Sequence, residues 1–327
     1  MINAFADTRS AAPRLCGAPI ERPAVLRQSA AWAVLIVLLL FGQFVATAVS
    51  SPAHWPLLLR QAAPLGVLAI GQAVLIINRG FDLSVGGVVG LVNVVAASAM
   101  ANAIGAPATV LFCLALGLLV GAINGAIVVW GGLSPLIVTL GSGFVLTGLM
   151  LVTTGGAPSG HVPDGIKVLS SSRILGIAPS VYIWLAVAVF AGLALRSSRI
   201  GRLLYASGSS PLGAANAGVP VSLVRFGAHC WSGLLAGAAG LLLAGFVGIG
   251  TLGAGQDLLL NSLAAAVIGG VLLAGGVGGI FGVAGGTLLI VYMSALATSL
   301  GFGEAGKLLI QGGAIIAAAL IFRRSSK

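Results

Sequence analysis

Long apolar runs, separated by short polar or glycine-rich segments, dominate the chain and predict membrane-spanning helices. Each run is close to the ~20 residues that a helix needs to cross ~30 Å of hydrocarbon. Strands of a membrane barrel would instead read as ~10-residue segments of alternating hydrophobicity. The predicted spans are 32–49, 61–78, 83–101, 108–130, 135–154, 179–196, 224–248, 258–275, 279–300 and 306–322. The pattern predicts an all-α polytopic membrane protein of about ten transmembrane helices, with nine or eleven as alternatives because several turns are short.

Three segments are too polar to span a membrane. Residues 1–29 contain four arginines and little periodicity, which predicts a basic N-terminal arm ahead of a membrane domain over 30–327. Residues 155–178 and 197–223 form two hydrophilic loops, and the second is longer than a turn requires. Within it, residues 212–217 predict a short helix lying in the loop.

The lysines and arginines are distributed unevenly between the two sides of the predicted helices. If the N-terminus is inside, few of the 16 basic side chains lie outside, and these are Arg60, Lys167, Arg173 and Lys307. Because basic residues concentrate in cytoplasmic loops, this bias predicts that both termini are cytoplasmic and that the number of spans is even.

Composition agrees with lipid as the main solvent. Hydrophobic residues make up 58% of the chain and charged residues only 7%, whereas soluble domains carry roughly a quarter charged residues. The 50 glycines suit close helix packing, because small residues let backbones approach. The net charge of +10 is explained by membrane orientation, so nucleic-acid binding has no independent support.

Motifs for catalysis and cofactors are weak. Gly306-Lys307 is followed by Leu308, so the phosphate-binding pattern G-x-x-x-x-G-K-[ST] is absent and ATP hydrolysis would need another subunit. The histidines and cysteines show no metal-ligand spacing. Ser142 and His229 would form a catalytic dyad only within hydrogen-bond reach, which the sequence does not indicate. We therefore predict no enzyme activity, no cofactor and no metal site.

Polar residues inside the spans have two interpretations. Uncharged side chains suit a pathway for a neutral polyhydroxylated solute, but they could equally form interhelical hydrogen bonds. These residues are Gln72, Asn78, Asn93, Asn124, Thr139, Asn261 and Gln311. Asp82 follows Arg79 closely enough for a local ion pair, and no acid is evident deep inside a span, which disfavours an ion-driven carrier.

Several strings, in matching order and spacing, resemble one transporter family. They are Gly80-Phe81-Asp82-Leu83-Ser84-Val85-Gly86, Gly121-Ala122-Ile123-Asn124-Gly125, Pro135-Leu136-Ile137-Val138-Thr139-Leu140-Gly141 and Ala264-Ala265-Ala266-Val267-Ile268-Gly269-Gly270. From about residue 60 onward the chain is similar to the ribose/xylose/galactose-type permeases of bacterial ATP-binding-cassette (ABC) importers. Residues 79–86 would then be a break in a helix near the pathway, or merely an inner turn.

The resemblance implies a permease subunit in the bacterial inner membrane that imports a monosaccharide or similar neutral polyol by alternating access. It implies cytoplasmic ATPase subunits, a periplasmic sugar-binding protein and a second permease copy, as in a homodimer. The expected substrate-pathway residues are Asn78, Asp82, Ser84, Asn124 and Thr139. A branched-chain amino-acid-type ABC permease and an autonomous secondary carrier remain alternatives.

The resemblance also identifies 197–223 as the coupling loop that docks on the ATPase. The residues that match the family pattern are Arg202, Tyr205, Gly208, Ala214 and Gly218. The residues that replace its usual Asn, Glu, Ala and Arg are Ser210, Leu212, Gly213 and Ala215. The charged members of the docking surface are therefore missing in this chain.

Overall fold

A computed structural model describes residues 22–158 and 160–313 of the chain. The helices are α1 (Arg22–Val45), α2 (Thr47–Ser50), α3 (Trp55–Ile77), α4 (Val85–Ala96), α5 (Ala99–Ile104), α6 (Ala106–Val129), α7 (Pro135–Thr154), α8 (Asp164–Ser171), α9 (Pro179–Ser197), α10 (Arg199–Ser209), α11 (Pro211–Asn216), α12 (Val221–Val247), α13 (Gln256–Ile268) and α14 (Ile280–Ser299). Residues 304–313 are also helical. Most of the predicted arm, 1–21, and the end of the last predicted span, 314–322, lie outside the described residues.

Seven of the described helices are long and apolar enough to cross a membrane: α1, α3, α6, α7, α9, α12 and α14. In the described part of the chain, β-structure is limited to two isolated bridges. The prediction of an all-helical polytopic membrane protein is thus confirmed. The count of ten spans and the orientation of the termini stay predictions.

Helix α3 forms the centre of the bundle. Its spanning window is 89% buried, against 17% for α1 and 22% for α7. After Arg60, α3 carries no charged residue, and a helix that is apolar on every side can be enclosed by neighbours. Helices α9, α10, α12, α13 and α14 pack around it. The peripheral helices expose large apolar side chains, as expected of surfaces that face lipid.

Helices α6 and α12 cross closely through glycines. Gly117 and Gly121 of α6 meet Gly233 and Gly237 of α12, and a Cβ added at Gly121 would lie 3.1 Å from the Gly233 Cα. In lipid there is little hydrophobic drive between helices, so such close backbone contact supplies the van der Waals attraction. At this crossing, the glycines allow α6 and α12 to pack closely.

Two predicted spans are shorter in the structure. Helix α4 has 12 residues, or ~18 Å at the usual rise of 1.5 Å, and α13 has 13, so neither crosses ~30 Å alone. They begin beside each other, where a Cβ on Gly86 would lie 3.0 Å from the Gly255 carbonyl oxygen. The apolar runs 83–101 and 258–275 looked like full spans because the breaks between elements are themselves apolar or glycine-rich.

Candidate functional site

The link between α3 and α4 begins with a tight helix end. The Gly80 N–H donates to the Leu75 carbonyl and the Arg79 N–H to the Ile76 carbonyl, both at 2.9 Å. This pattern places Arg79 at the position after the C-cap, which glycine usually occupies. Its φ of 60° is left-handed, a conformation that costs a residue with a Cβ about 1–2 kcal/mol.

The link then turns back into the protein, where Asp82 is 1% exposed. Both the backbone N–H and the hydroxyl of Ser84 donate to Asp82 Oδ1, at 3.0 and 2.5 Å, and the Ser232 hydroxyl donates to Oδ2 at 3.1 Å. Asn124 Nδ2 donates to Ser84 Oγ at 2.8 Å, and the Ser142 hydroxyl donates to Asn124 Oδ1 at 2.5 Å. We call these residues, Asp82, Ser84, Asn124, Ser142 and Ser232, the Asp82 cluster.

The cluster secures the buried start of α4. The peptide groups of the link just before α4 have no helical partners, so where they are buried they must find others. The Leu83 N–H donates to Thr139 Oγ1 at 3.0 Å, and Gln72 Nε2 donates to the Asp82 carbonyl at 2.6 Å. Residues 79–86 are thus a break between helices that side chains of α3, α6, α7 and α12 hold in place.

The ion pair that the spacing of Arg79 and Asp82 would allow is not formed. Arg79 instead donates from Nε to the Gly208 carbonyl at 2.5 Å and from a terminal nitrogen to the Ser209 carbonyl at 2.6 Å. The ion pairs of the described residues are Asp164–Lys167 and Glu304–Lys307. The left-handed backbone directs Arg79 toward α10, while Asp82 turns inward. Asp82 is therefore a buried acid, although it lies in the link between helices and not inside a span.

Helix α10 is attached to the same link. Asn78 Nδ2 donates to the Ser207 hydroxyl at 2.9 Å, and the Tyr205 hydroxyl donates to the Gly278 carbonyl at 2.8 Å. A Cβ on Gly208 would overlap the Ile77 carbonyl oxygen. Helix α10 therefore contacts both the end of α3 and the loop before α14.

Two cavities adjoin these elements. The first, about 300 Å³, lies at the starts of α4 and α13 and is lined by Gly86, Gly90, Thr147, Gly255 and Gln256 among others. The second, about 420 Å³, lies beside the ends of α3 and α6 and the start of α12, and its lining includes Asn78, Arg79, Pro135, Arg225 and His229. We call the second one the inner-end cavity.

The sequence-predicted pathway residues divide into two groups. Asp82, Ser84, Asn124 and Thr139 come together around the start of α4 and line neither cavity, whereas Asn78 lines the inner-end cavity. The role of these five residues in a solute pathway stays a prediction.

Comparison with known proteins identifies the family. Residues 57–319 match the family model "Branched-chain amino acid transport system / permease component". The chain belongs to this family. The permease is 34% identical over 90% of its length to the probable ABC transporter permease protein y4mJ of Sinorhizobium fredii, 88% of which is covered. It is also 34% identical over 76% of its length to the autoinducer 2 import system permease protein LsrC of Enterobacter sp., with 74% of that protein covered.

A further LsrC protein, from Yersinia pseudotuberculosis, is 33% identical over 70% of the permease and 66% of the relative. No solved structure matches significantly. The resemblance to sugar-type ABC importer permeases is confirmed, and with it the assignment as a multi-pass protein of the inner membrane. ABC permeases are transport components, not enzymes, and they operate with an ATPase and a substrate-binding protein.

The predicted coupling residues of the permease have different surroundings. Tyr205 is half-buried and Gly208 is buried, both against the membrane domain, and Ala214 is buried on α11. Arg202 and Gly218 are exposed. Burial raises the pKa of the Tyr205 phenol, so it remains a donor to the Gly278 carbonyl at physiological pH. The family pattern therefore combines residues that hold the loop with residues that face outward.

Sequence reasoning missed three serines. Ser207 and Ser232 stand in no recognisable motif, and the sequence suggests for Ser142 only a place in a catalytic dyad. The Ser142 hydroxyl in fact donates to Asn124. The one available signal was a hydroxyl inside an apolar run, and that signal does not reveal which buried acid or amide it meets. Among the described residues, no group of three His, Cys, Asp or Glu could hold a metal ion.

Proposed function

We propose that this permease imports a monosaccharide or a similar neutral polyol by alternating access, driven by separate ATPase subunits. The observation that carries the proposal is the short link between α3 and α4. At one end of it Asn78 and Arg79 bond to the loop helix α10, and at the other end the Asp82 cluster bonds to α6, α7 and α12. A transporter whose power comes from outside the membrane needs such a connection between an accessible helix and the helices that move. Autoinducer 2, the solute in the names of two relatives, is one candidate.

The proposed pathway passes the starts of α4 and α13. Broken helices that meet inside the membrane mark the solute site in many transporters. The cavity of about 300 Å³ at this position offers Thr147, Gln256 and backbone groups of glycines, which suit hydroxyl groups. In this scheme Asp82, Ser84, Asn124 and Thr139 shape the pathway by fixing α4, and Asn78 connects it to α10.

The proposed coupling loop is 197–223, with α10 as the transmitting helix and α11 as the outer surface. Leu212 of α11 is 75% exposed, and it stands where related loops carry an acid. An ATPase that docks here would meet an apolar side chain instead of a charged one. Arg202 and Gly218 are the predicted coupling residues that are exposed for such a contact.

The proposed architecture has ten spans with both termini in the cytoplasm, in the order basic arm 1–29 and permease domain 30–327. In addition to the seven long helices and the two short ones, the region 304–322 would supply the last span. A second copy of the permease, a cytoplasmic ATPase and a periplasmic sugar-binding protein complete the transporter, with no nucleic acid involved.

Reconstitution tests the proposal. Proteoliposomes should accumulate labelled ribose, xylose, galactose or autoinducer 2 only when the ATPase, the binding protein and ATP are supplied together with the permease. Accumulation by the permease alone would contradict it and favour a secondary carrier.

A second candidate function, import of a branched-chain amino acid, is favoured by the description of the matched family. Labelled leucine in the same vesicles decides between the two. The cavity of about 300 Å³ argues for a neutral solute, because its lining offers Thr147, Gln256 and glycine backbone and no charged side chain for either end of a zwitterion.

A further inference from the structure

The inner-end cavity contains polar groups that are not satisfied by any described residue. Asn78 Oδ1 and His229 Nδ1 make no hydrogen bond, although the two residues are only 1% and 2% exposed. Arg225 lines the same cavity, is half-buried, and has no ion pair in the described part of the chain. Buried polar atoms without partners are rare in native proteins. Two such atoms and a guanidinium without an ion pair around one space indicate a ligand.

The charges that face the cavity favour an anion. Arg225 presents a guanidinium that can grip phosphate through two parallel hydrogen bonds. Arg79 adds a second positive charge, although two of its nitrogens already donate to α10 carbonyls. The nearby acid is Asp82, whose carboxyl oxygens accept from Ser84 and Ser232. Water could satisfy Asn78 and His229, but it would leave the charge of Arg225 uncompensated.

We propose that the inner-end cavity binds the phosphate group of a small phosphorylated solute, such as a sugar phosphate. Its volume of about 420 Å³ falls in the range of ~300–1,000 Å³ that is usual for small-molecule sites. Arg225 would bind the phosphate, while Asn78 Oδ1 and His229 Nδ1 would meet hydroxyl groups. A phospholipid headgroup offers the same phosphate chemistry and is the other source of such a ligand.

The position of the site connects it to transport. Asn78 and Arg79 line the cavity and also hold α10. A bound anion therefore touches the residues that join α10 to the membrane domain. That this end faces the cytoplasm, where phosphorylated sugars occur, rests on the proposed function, whereas binding itself does not.

Calorimetric titration of the purified full-length permease in detergent tests the proposal directly. We expect ribose 5-phosphate and inorganic phosphate to bind, and ribose to bind at least ~10-fold more weakly than ribose 5-phosphate. Arg225→Gln should weaken both phosphate ligands by about 10-fold or more, since a bidentate charged contact is lost. Arg199→Gln, an exposed arginine of α10 outside the cavity, is the matched control and should change affinity by less than about twofold.

A second variant separates the two parts of the site. His229→Gln should weaken ribose 5-phosphate but leave inorganic phosphate within about twofold, because only the sugar reaches it. Equal binding by wild type and Arg225→Gln, or no binding of either phosphate compound, would overturn the proposal. These titrations need no ATPase and no transport, so a failure to bind phosphate would leave the proposed import function untouched. Conversely, a failure of sugar uptake would leave a measured phosphate affinity valid.

Nanodiscs distinguish the two sources of phosphate. If the natural occupant is soluble, ribose 5-phosphate binds equally in discs of phosphatidylcholine with and without phosphatidic acid. If phosphatidic acid blocks ribose 5-phosphate and Arg225→Gln relieves the block, the site is supported with a lipid headgroup as its occupant. Loss of binding in phosphatidylcholine discs, with binding only in detergent, would count against the site.

Discussion

At the residue scale, Arg79 combines an unfavourable backbone with a favourable side chain. Its left-handed φ of 60° would suit glycine, yet its guanidinium donates to two carbonyls at the end of α10. Strain of this kind persists where the surrounding structure compensates for it, and it often marks functional positions. The backbone strain and the side-chain hydrogen bonds of Arg79 can be separated, because glycine removes both whereas alanine removes only the hydrogen bonds.

We predict that Arg79→Ala destabilises the permease more than Arg79→Gly does, by about 1 kcal/mol, because only glycine relieves the left-handed strain. Both variants lose the contacts to α10, so both should reduce ATP-driven uptake to a similar extent. Thermal unfolding in detergent and vesicle uptake measure the two effects. Equal stability of the two variants would show that the backbone strain is absent.

Asp82 illustrates a second residue-scale effect, the cost of unpaired partners. In Asp82→Ala the Ser84 and Ser232 hydroxyls and the Ser84 N–H lose their acceptor, and each buried group left without one costs about 1–3 kcal/mol. Asp82→Asn keeps one oxygen of the same shape and should retain most of the stability. Melting temperatures of the two variants, compared with wild type, give the measurement. If Asp82→Ala melts as wild type does, the cluster does not stabilise the start of α4.

At the element scale, the contact between α10 and α3 depends on a missing side chain. A Cβ on Gly208 would overlap the Ile77 carbonyl oxygen, which belongs to rigid helix backbone. We predict that Gly208→Ala costs about 1–3 kcal/mol, the usual range for overpacking, and separates α10 from the end of α3.

Gly227→Ala provides the matched control, because it is also helical and a Cβ there meets nothing within 4 Å. That change should be neutral or stabilising by up to about 1 kcal/mol from helix propensity. Thermal unfolding of both variants, with ATP-driven uptake as a second readout, tests the contact. Similar effects of the two changes would mean that the glycine at 208 is not required for close approach.

Some elements can be predicted from the sequence more completely than others. The span 135–154 was predicted with both ends correct, because Pro135 starts α7 and Gly155 ends it in the left-handed conformation. The start of α4 was not predictable as a buried break, since it depends on Thr139, Asn124 and Ser232, which are distant in sequence. Motifs indicated most of the residues that meet there, but no local pattern encodes their hydrogen bonds.

At the scale of the whole molecule, orientation is the property that links geometry to energy supply. Helix α9 separates the loop 172–178 from α10 and α11, so these two regions lie at opposite ends of the molecule. The distribution of basic residues predicts that α10 and α11 are cytoplasmic. Only then can an ATPase reach the loop whose residues hold the end of α3.

Cysteine labelling checks this orientation. Leu175, which is 94% exposed, and Asn216, which is exposed on α11, are each replaced by cysteine in a background that lacks Cys16, Cys113 and Cys230. A membrane-impermeant maleimide should label Leu175→Cys in intact spheroplasts and Asn216→Cys only in inverted vesicles, while the background stays unlabelled. Labelling of Asn216→Cys from outside would contradict this topology, because the proposed docking loop would then face away from the cytoplasmic ATP.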